Sequence, residues 1–94
     1  MAGEDDGGDG GEAMEDVTVR IDDIYVPVKR RKLLDRERVE ALAASILEQG
    51  QQAPILVRKD EGRLVLVEGL HRLEACKALG ETTITALYVQ ARKH

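Results

Sequence analysis

Apolar and polar positions alternate at the start of the folded region. Val17, Val19 and Ile21 interleave with Thr18, Arg20 and Asp22, the period-two pattern of a half-buried strand. Ile24-Tyr25-Val26 is expected to continue that strand until Pro27 breaks the ladder. The period then changes. Val39, Leu42, Ala43, Ile46 and Leu47 recur at helical spacing, with Asp35 as N-cap, Glu37 in the first turn and Gly50 at the C-terminal stop. Gln51-Gln52-Ala53-Pro54 connects to a short buried strand at Ile55-Leu56-Val57. Lys59-Asp60-Glu61-Gly62 is a hairpin turn signal, and Leu64 to Val67 is the return strand. Gly69 ends it, and a second helix is predicted over 70–79, stopped by Gly80. Its apolar stripe is Leu73, Cys76 and Leu79, with Ala75 beside it. Ile84 to Val89 is a last strand, and Ala91 to His94 a polar end. With no repeats, the order β-α-β-β-α-β with short connections predicts an α+β domain built on a mixed sheet and two main helices.

Charge changes this picture at one end only. The 94 residues carry a formal net charge of −4, yet seven of the eighteen carboxylates lie in residues 1–16, where there is no base. Residues 17–94 hold eleven acids against fourteen bases, a net of about +3, so the body is mildly basic. Five of the nine glycines also fall in residues 1–16. A segment of that composition cannot bury enough apolar surface to offset its ordering entropy, so residues 1–16 are expected to be a disordered acidic tail and 17–94 the domain. With no Phe, no Trp and two Tyr, the core must be aliphatic. A single Cys excludes an internal disulfide, and no apolar run approaches the ~20 residues that span a bilayer. The N-terminus lacks the basic and hydrophobic regions of a signal peptide, so the expected location is the cytoplasm.

Candidate chemistry concentrates in Leu64 to Lys77, LVLVEGLHRLEACK. A glycine between a strand and a helix lets an anion approach the backbone, where free N–H groups and the helix dipole attract it. His71 and Arg72 would add side-chain donors to the same anion. The plainer alternative is an ordinary helix start with a surface arginine. Glu68 precedes the glycine; it would repel a phosphate unless it holds a divalent ion or serves as a base, or it is a surface carboxylate paired with Arg63 or Arg72. Lys29-Arg30-Arg31-Lys32 is a solvated basic face or, with Arg36 and Arg38, a contact for nucleic acid, although interleaved aromatics are missing. Cys76 lies about two turns inside its helix, a core position rather than that of a reactive thiol. No metal-ligand motif is present.

These residues resemble the ParB N-terminal/sulfiredoxin-like superfamily over nearly all of residues 17–90. The ordered matches are Val19–Ile24; Arg31-Lys32-Leu33-Leu34-Asp35; the run from Leu42 through Ser45-Ile46 and Gly50 to Pro54-Ile55; and Gly69-Leu70-His71-Arg72, followed by Ala75, Ala78, Leu79 and Gly80. The resemblance implies a nucleotide site. Gly69, Leu70, His71 and Arg72 would hold the phosphates, with Arg31 as a second contact. Gln51, Gln52 and Pro54 would lie on the base and sugar side. Members bind CTP, ATP or ADP, so the base stays open, and Mg²⁺ would accompany a triphosphate. Three departures qualify the match. Sulfiredoxins carry their catalytic cysteine at the position of Leu70, which disfavours sulfinate reduction. Partition proteins continue into DNA-binding and dimerisation domains, whereas this chain stops at His94. Free serine kinases of the family carry an acid at the position of Glu68, but are longer.

Three functions emerge as expectations. A nucleotide-binding module acting as a switch or adaptor in DNA partition or regulation is favoured. An ATPase, kinase or nuclease-like enzyme using Glu68 is the alternative. Direct DNA binding through Lys29, Arg30, Lys32 and Arg36, shielded by the acidic tail, is the third.

Overall fold

In the computed structural model, which describes residues 16–50 and 53–89, the elements run in the order β1 (Asp16–Arg20), β2 (Ile24–Tyr25), α1 (Val28–Arg31), α2 (Arg36–Gln49), β3 (Ile55–Asp60), β4 (Arg63–Glu68), α3 (Leu70–Ala78) and β5 (Thr83–Tyr88). The five strands form one mixed sheet in the order β1-β5-β3-β4-β2. β1/β5 and β3/β4 are antiparallel, while β3/β5 and β2/β4 are parallel. This is the expected α+β class.

The first correction concerns Ile24 to Val26. They do not prolong β1: a 3₁₀ turn over Ile21–Asp23 redirects the chain, and Ile24–Tyr25 pairs with Leu64 and Val65 at the opposite edge of the sheet. Ile21 anchors that turn, buried and donating its N–H to the Thr82 carbonyl at 3.0 Å. Strand alternation cannot reveal such a jump, because the apolar positions on either side of the turn both face the core. Second, the basic run falls largely in a helical turn that the sequence pattern did not predict. Pro27, whose fixed φ suits a helix start, leads into the single turn α1, with Arg30 and Arg31 donating to the Pro27 carbonyl. Third, Asp16 is no part of the tail; it opens β1 opposite Leu87. The rest of the expected tail, residues 1–15, and the polar end at 91–94 lie outside the described residues.

α2 begins as its sequence requires. The Asp35 carboxylate accepts from the N–H groups of Glu37 and Arg38, at 3.0 and 3.5 Å. Its buried stripe is narrower than the spacing suggests: Val39 is buried, Leu42, Ala43 and Ile46 half-buried, and Leu47 is 75% exposed. β3 and β4 join through Glu61-Gly62, both at positive φ (56° and 84°), the backbone that a two-residue hairpin turn requires. The core is aliphatic, centred on Ile55, Val57, Leu66 and Leu73, each at most 1% exposed, with Cys76, Ile84 and Ala86 around them. Among the described residues no charged side chain is buried.

The exit of β4 shapes the turn into α3. Leu56 pairs with Glu68 but Val57 pairs with Leu66, so Val67 is an extra residue, a bulge at the end of the strand. Gly69 comes next at φ 112°. A Cβ there would lie 2.7 Å from Ile55 Cγ2 and 2.9 Å from Ile55 Cβ, so only glycine fits. The turn therefore lies directly against the core, and α3 starts at once.

Candidate anion-binding cleft

Four stretches of chain converge on a cleft of about 330 Å³, lined by Arg30, Leu33, Arg38, Leu42, Glu68, Gly69, Leu70, His71 and Arg72. α3 contributes its N-terminus. Gly69 caps the helix with no side chain, so the first-turn N–H groups gain no side-chain cap acceptor. Leu73 N–H closes the first helical bond to the Gly69 carbonyl at 2.9 Å, leaving the N–H groups of Leu70, His71 and Arg72 ahead of it. The Leu70 side chain is buried in the core and anchors the turn; its backbone serves the cleft.

His71 fixes the geometry from the other side. Its Nε2 accepts the backbone N–H of Asp35 at 2.9 Å, tying the first turn of α3 to the N-cap of α2. An accepting Nε2 carries the lone pair, so the neutral ring's proton sits on Nδ1 and makes that atom a donor. The same contact brings Arg38, in the first turn of α2, to the cleft wall.

The cleft is electropositive and open. Arg30, Arg38 and Arg72 line it, and the ion pairs among the described residues, Arg58–Asp60 at 3.2 Å and Glu74–Lys77 at 3.4 Å, involve none of them. Glu68 is the one carboxylate lining the cleft among the described residues. It pairs with neither Arg63 nor Arg72; the Arg63 guanidinium instead stacks on the Tyr25 ring at 4.3 Å. Leu33 and Leu42 supply an apolar wall. Three arginines, a histidine and a helix N-terminus thus line a single space, a combination whose chemistry suits a multiply charged anion.

Of the residues singled out in the sequence, Gly69, Leu70, His71, Arg72, Glu68 and Arg30 meet here. Arg31 does not: it is exposed and lies outside the lining, as do Lys29, Lys32 and Arg36, which carry charge on the adjoining surface. Pro54 is half-buried and does not line the cleft. Gln51 and Gln52 lie outside the described residues. The structure adds Leu33 and Leu42, and it brings Arg38, expected only as a nucleic-acid contact, into the cleft. One signal for Arg38 was available: it sits three residues after the N-cap Asp35, on the turn that a partner at the helix start must touch. Cys76 is buried, and burial, then the charge of Glu81, push its thiol up in spite of an opposing influence from Arg72. Among the described residues no cluster of three His, Cys, Asp or Glu could hold a metal ion alone, and no helix is long and apolar enough to cross a membrane.

Comparison with known proteins bears on the family and the fold. The family model described as the ParB N-terminal domain matches residues 6–94. A probable chromosome-partitioning protein ParB of Campylobacter jejuni is 43% identical over 60 residues, covering 64% of this chain and 22% of that protein. Its counterpart in Helicobacter pylori is 38% identical over 74 residues, covering 78% and 26%. The chain thus spans about a quarter or less of the length of these relatives. Among solved structures, sulfiredoxin from Arabidopsis thaliana superposes with a TM-score of 0.74 at 31% identity, over 82% of this chain and 86% of that one. C-terminally truncated ParB from Caulobacter crescentus, complexed with CTP-gamma-S, superposes with a TM-score of 0.71 at 26% identity, over 84% and 46%.

Proposed function

The chain belongs to the ParB N-terminal domain family, and on that premise we propose that its cleft binds the phosphate chain of a nucleoside triphosphate. The observation that carries this is the joint placement of the Gly69 turn with Arg30, Arg38 and Arg72 around one open space. A triphosphate brings several negative oxygens, and this wall offers several planar forks and backbone donors. His71 Nδ1–H adds a directional donor, while Leu33 and Leu42 offer an apolar surface to the remainder of the nucleotide. The Caulobacter neighbour was solved with a CTP analogue, which supports a triphosphate as the occupant.

Mg²⁺ fits this site in one way. The ion keeps most of its waters and is held by one or two carboxylates plus phosphate oxygens, and Glu68, on the cleft wall, is the carboxylate that would join it. When bound, the ion would neutralise phosphate charge that Glu68 otherwise repels. The module then acts as a nucleotide-dependent switch or adaptor, and its similarity to chromosome-partitioning proteins supports DNA partition as the setting. In that role Lys29, Arg31, Lys32 and Arg36 form the face for DNA phosphates.

Isothermal titration with CTP, ATP and ADP, each with Mg²⁺, tests the proposal; no heat from any of them at millimolar concentration would sink it. A second reading, phosphotransfer or hydrolysis using Glu68 as base, is favoured by the position of that carboxylate on the cleft wall. Nucleotide turnover compared with Glu68→Gln decides it: equal rates in both proteins, or none in either, remove Glu68 from a catalytic role.

A further inference from the structure

The sheet register aligns Asp16, the residue that follows the acidic N-terminal segment, with the end of β4 at the cleft. Asp16 pairs with Leu87, Leu87 with Leu56, and Leu56 with Glu68, so the residue at which the acidic segment joins the fold lies in the same cross-strand row as the residue before the Gly69 turn. Three strand spacings separate them, about 14 Å. Fifteen residues precede Asp16, and a chain of that length reaches up to about 50 Å when extended, several times the distance required. Those residues carry Glu4, Asp5, Asp6, Asp9, Glu12 and Glu15 and no base. The cleft presents Arg30, Arg38 and Arg72, which have no carboxylate partner among the described residues.

From this juxtaposition we infer that the acidic N-terminal segment is an intramolecular competitor for the cleft, its carboxylates occupying the arginine-lined space in the absence of a polyphosphate. The proposal rests on the nucleotide reading for its consequence, namely that phosphate binding must displace the segment. Carboxylates suit this role because they bind arginine with the same planar geometry as phosphate but carry one charge per group. A triphosphate with its concentrated charge therefore wins. Tethering so close to the site gives the segment an effective concentration in the millimolar range, so weak individual contacts suffice. Being electrostatic between exposed groups, the contact weakens steeply with salt.

The test uses the full chain with a spin label on Gly8→Cys; Cys76 is buried and stays unlabelled. The expected result at about 50 mM salt is paramagnetic broadening of the amides of Arg38 and Gly69 to Arg72. Broadening should fall away at about 500 mM salt and in a labelled variant with E4Q, D5N, D6N, D9N, E12Q and E15Q. That variant should also bind nucleotide about threefold more tightly at low salt. Equal broadening in the neutralised variant, broadening confined to Lys29–Lys32 and Arg36, or broadening that grows with protein concentration overturns the proposal. If neither protein binds nucleotide, the nucleotide reading fails, while the broadening still decides where the segment docks.

Discussion

The two ends of α3 each border a cleft of nearly the same size, and they could hardly differ more in chemistry. At the N-terminus, about 330 Å³ is walled by three arginines, a histidine and backbone N–H groups. At the C-terminus, about 320 Å³ is bordered by Ile46, Leu47, Gly50, Cys76, Leu79, Glu81 and Thr83, with no base among them. Helix polarity adds to the contrast. The N–H end carries partial positive charge and the carbonyl end partial negative charge, and here the C-terminal carbonyls are already used by Leu79, Gly80 and Glu81. Cavity volume thus says little about function. What separates the ends is unspent hydrogen-bonding capacity facing the space, abundant at one and consumed at the other.

The glycines that bound α3 should break the comparison most visibly. Gly69→Ala must place a Cβ 2.7 Å from a buried Ile55 at a strained φ, whereas Gly80→Ala has open space and a positive φ alone. The first should cost about 2–4 kcal/mol in denaturant unfolding and the second about 1 kcal/mol. Similar costs would mean that the Gly69 turn does not lie against the core.

Binding comes next. Arg72→Ala should weaken triphosphate affinity by about tenfold to a hundredfold, as befits a charge-assisted contact, with no change for Lys77→Ala at the far end of the helix. A smaller loss, roughly threefold to tenfold, is expected for Arg38→Ala by the same measure, and none for Arg31→Ala. An Arg31 effect as large as that of Arg38 would restore Arg31 to the site and contradict the cleft's lining.

Cys76 sharpens the comparison at the C-terminal end. Burial raises its thiol above the ordinary range, so the folded state holds the proton more tightly than the unfolded chain. The resulting stability is fully present below the unfolded value of about 8.5 and is lost as pH rises through the higher folded value. Unfolding free energy should therefore decline on the alkaline side in the wild type and decline less in Cys76→Ala. Equal slopes would show that the thiol is not held in the core. The smallest effect belongs to Leu47, 75% exposed at the rim of the second cleft: Leu47→Ala should change stability by no more than about 0.5 kcal/mol.

How much of the molecule was legible in the sequence varies with the range of the interaction involved. The Asp35 cap, the Glu61-Gly62 turn, the Gly69 break and the limits of α2 and α3 were readable, because each depends on backbone preferences within a few residues. Ile24–Tyr25 was misplaced because a three-residue turn moves it across the whole sheet. Leu47 was expected in the core because helical spacing marks a face and cannot say how much of that face is covered. In the site, Gly69 to Arg72 are contiguous and so announced themselves. Arg38 and Arg30 come from separate elements, and which of two adjacent arginines enters the cleft depends on the phase of the single turn α1.

The amino-acid sequence alone determined an aliphatic α+β domain, a glycine turn at the start of its second long helix, and a mildly basic body preceded by an acidic segment. Local sterics, hydrophobic periodicity and charge counting suffice for all three. Only the tertiary structure decided that β1 and β2 lie at opposite edges, that Arg30 and Arg38 rather than Arg31 face the turn, and that Asp16 shares a row with Glu68. Those facts arise from strand register and from the Asp35–His71 contact, 36 residues apart along the chain, and no pattern confined to one element encodes such pairings.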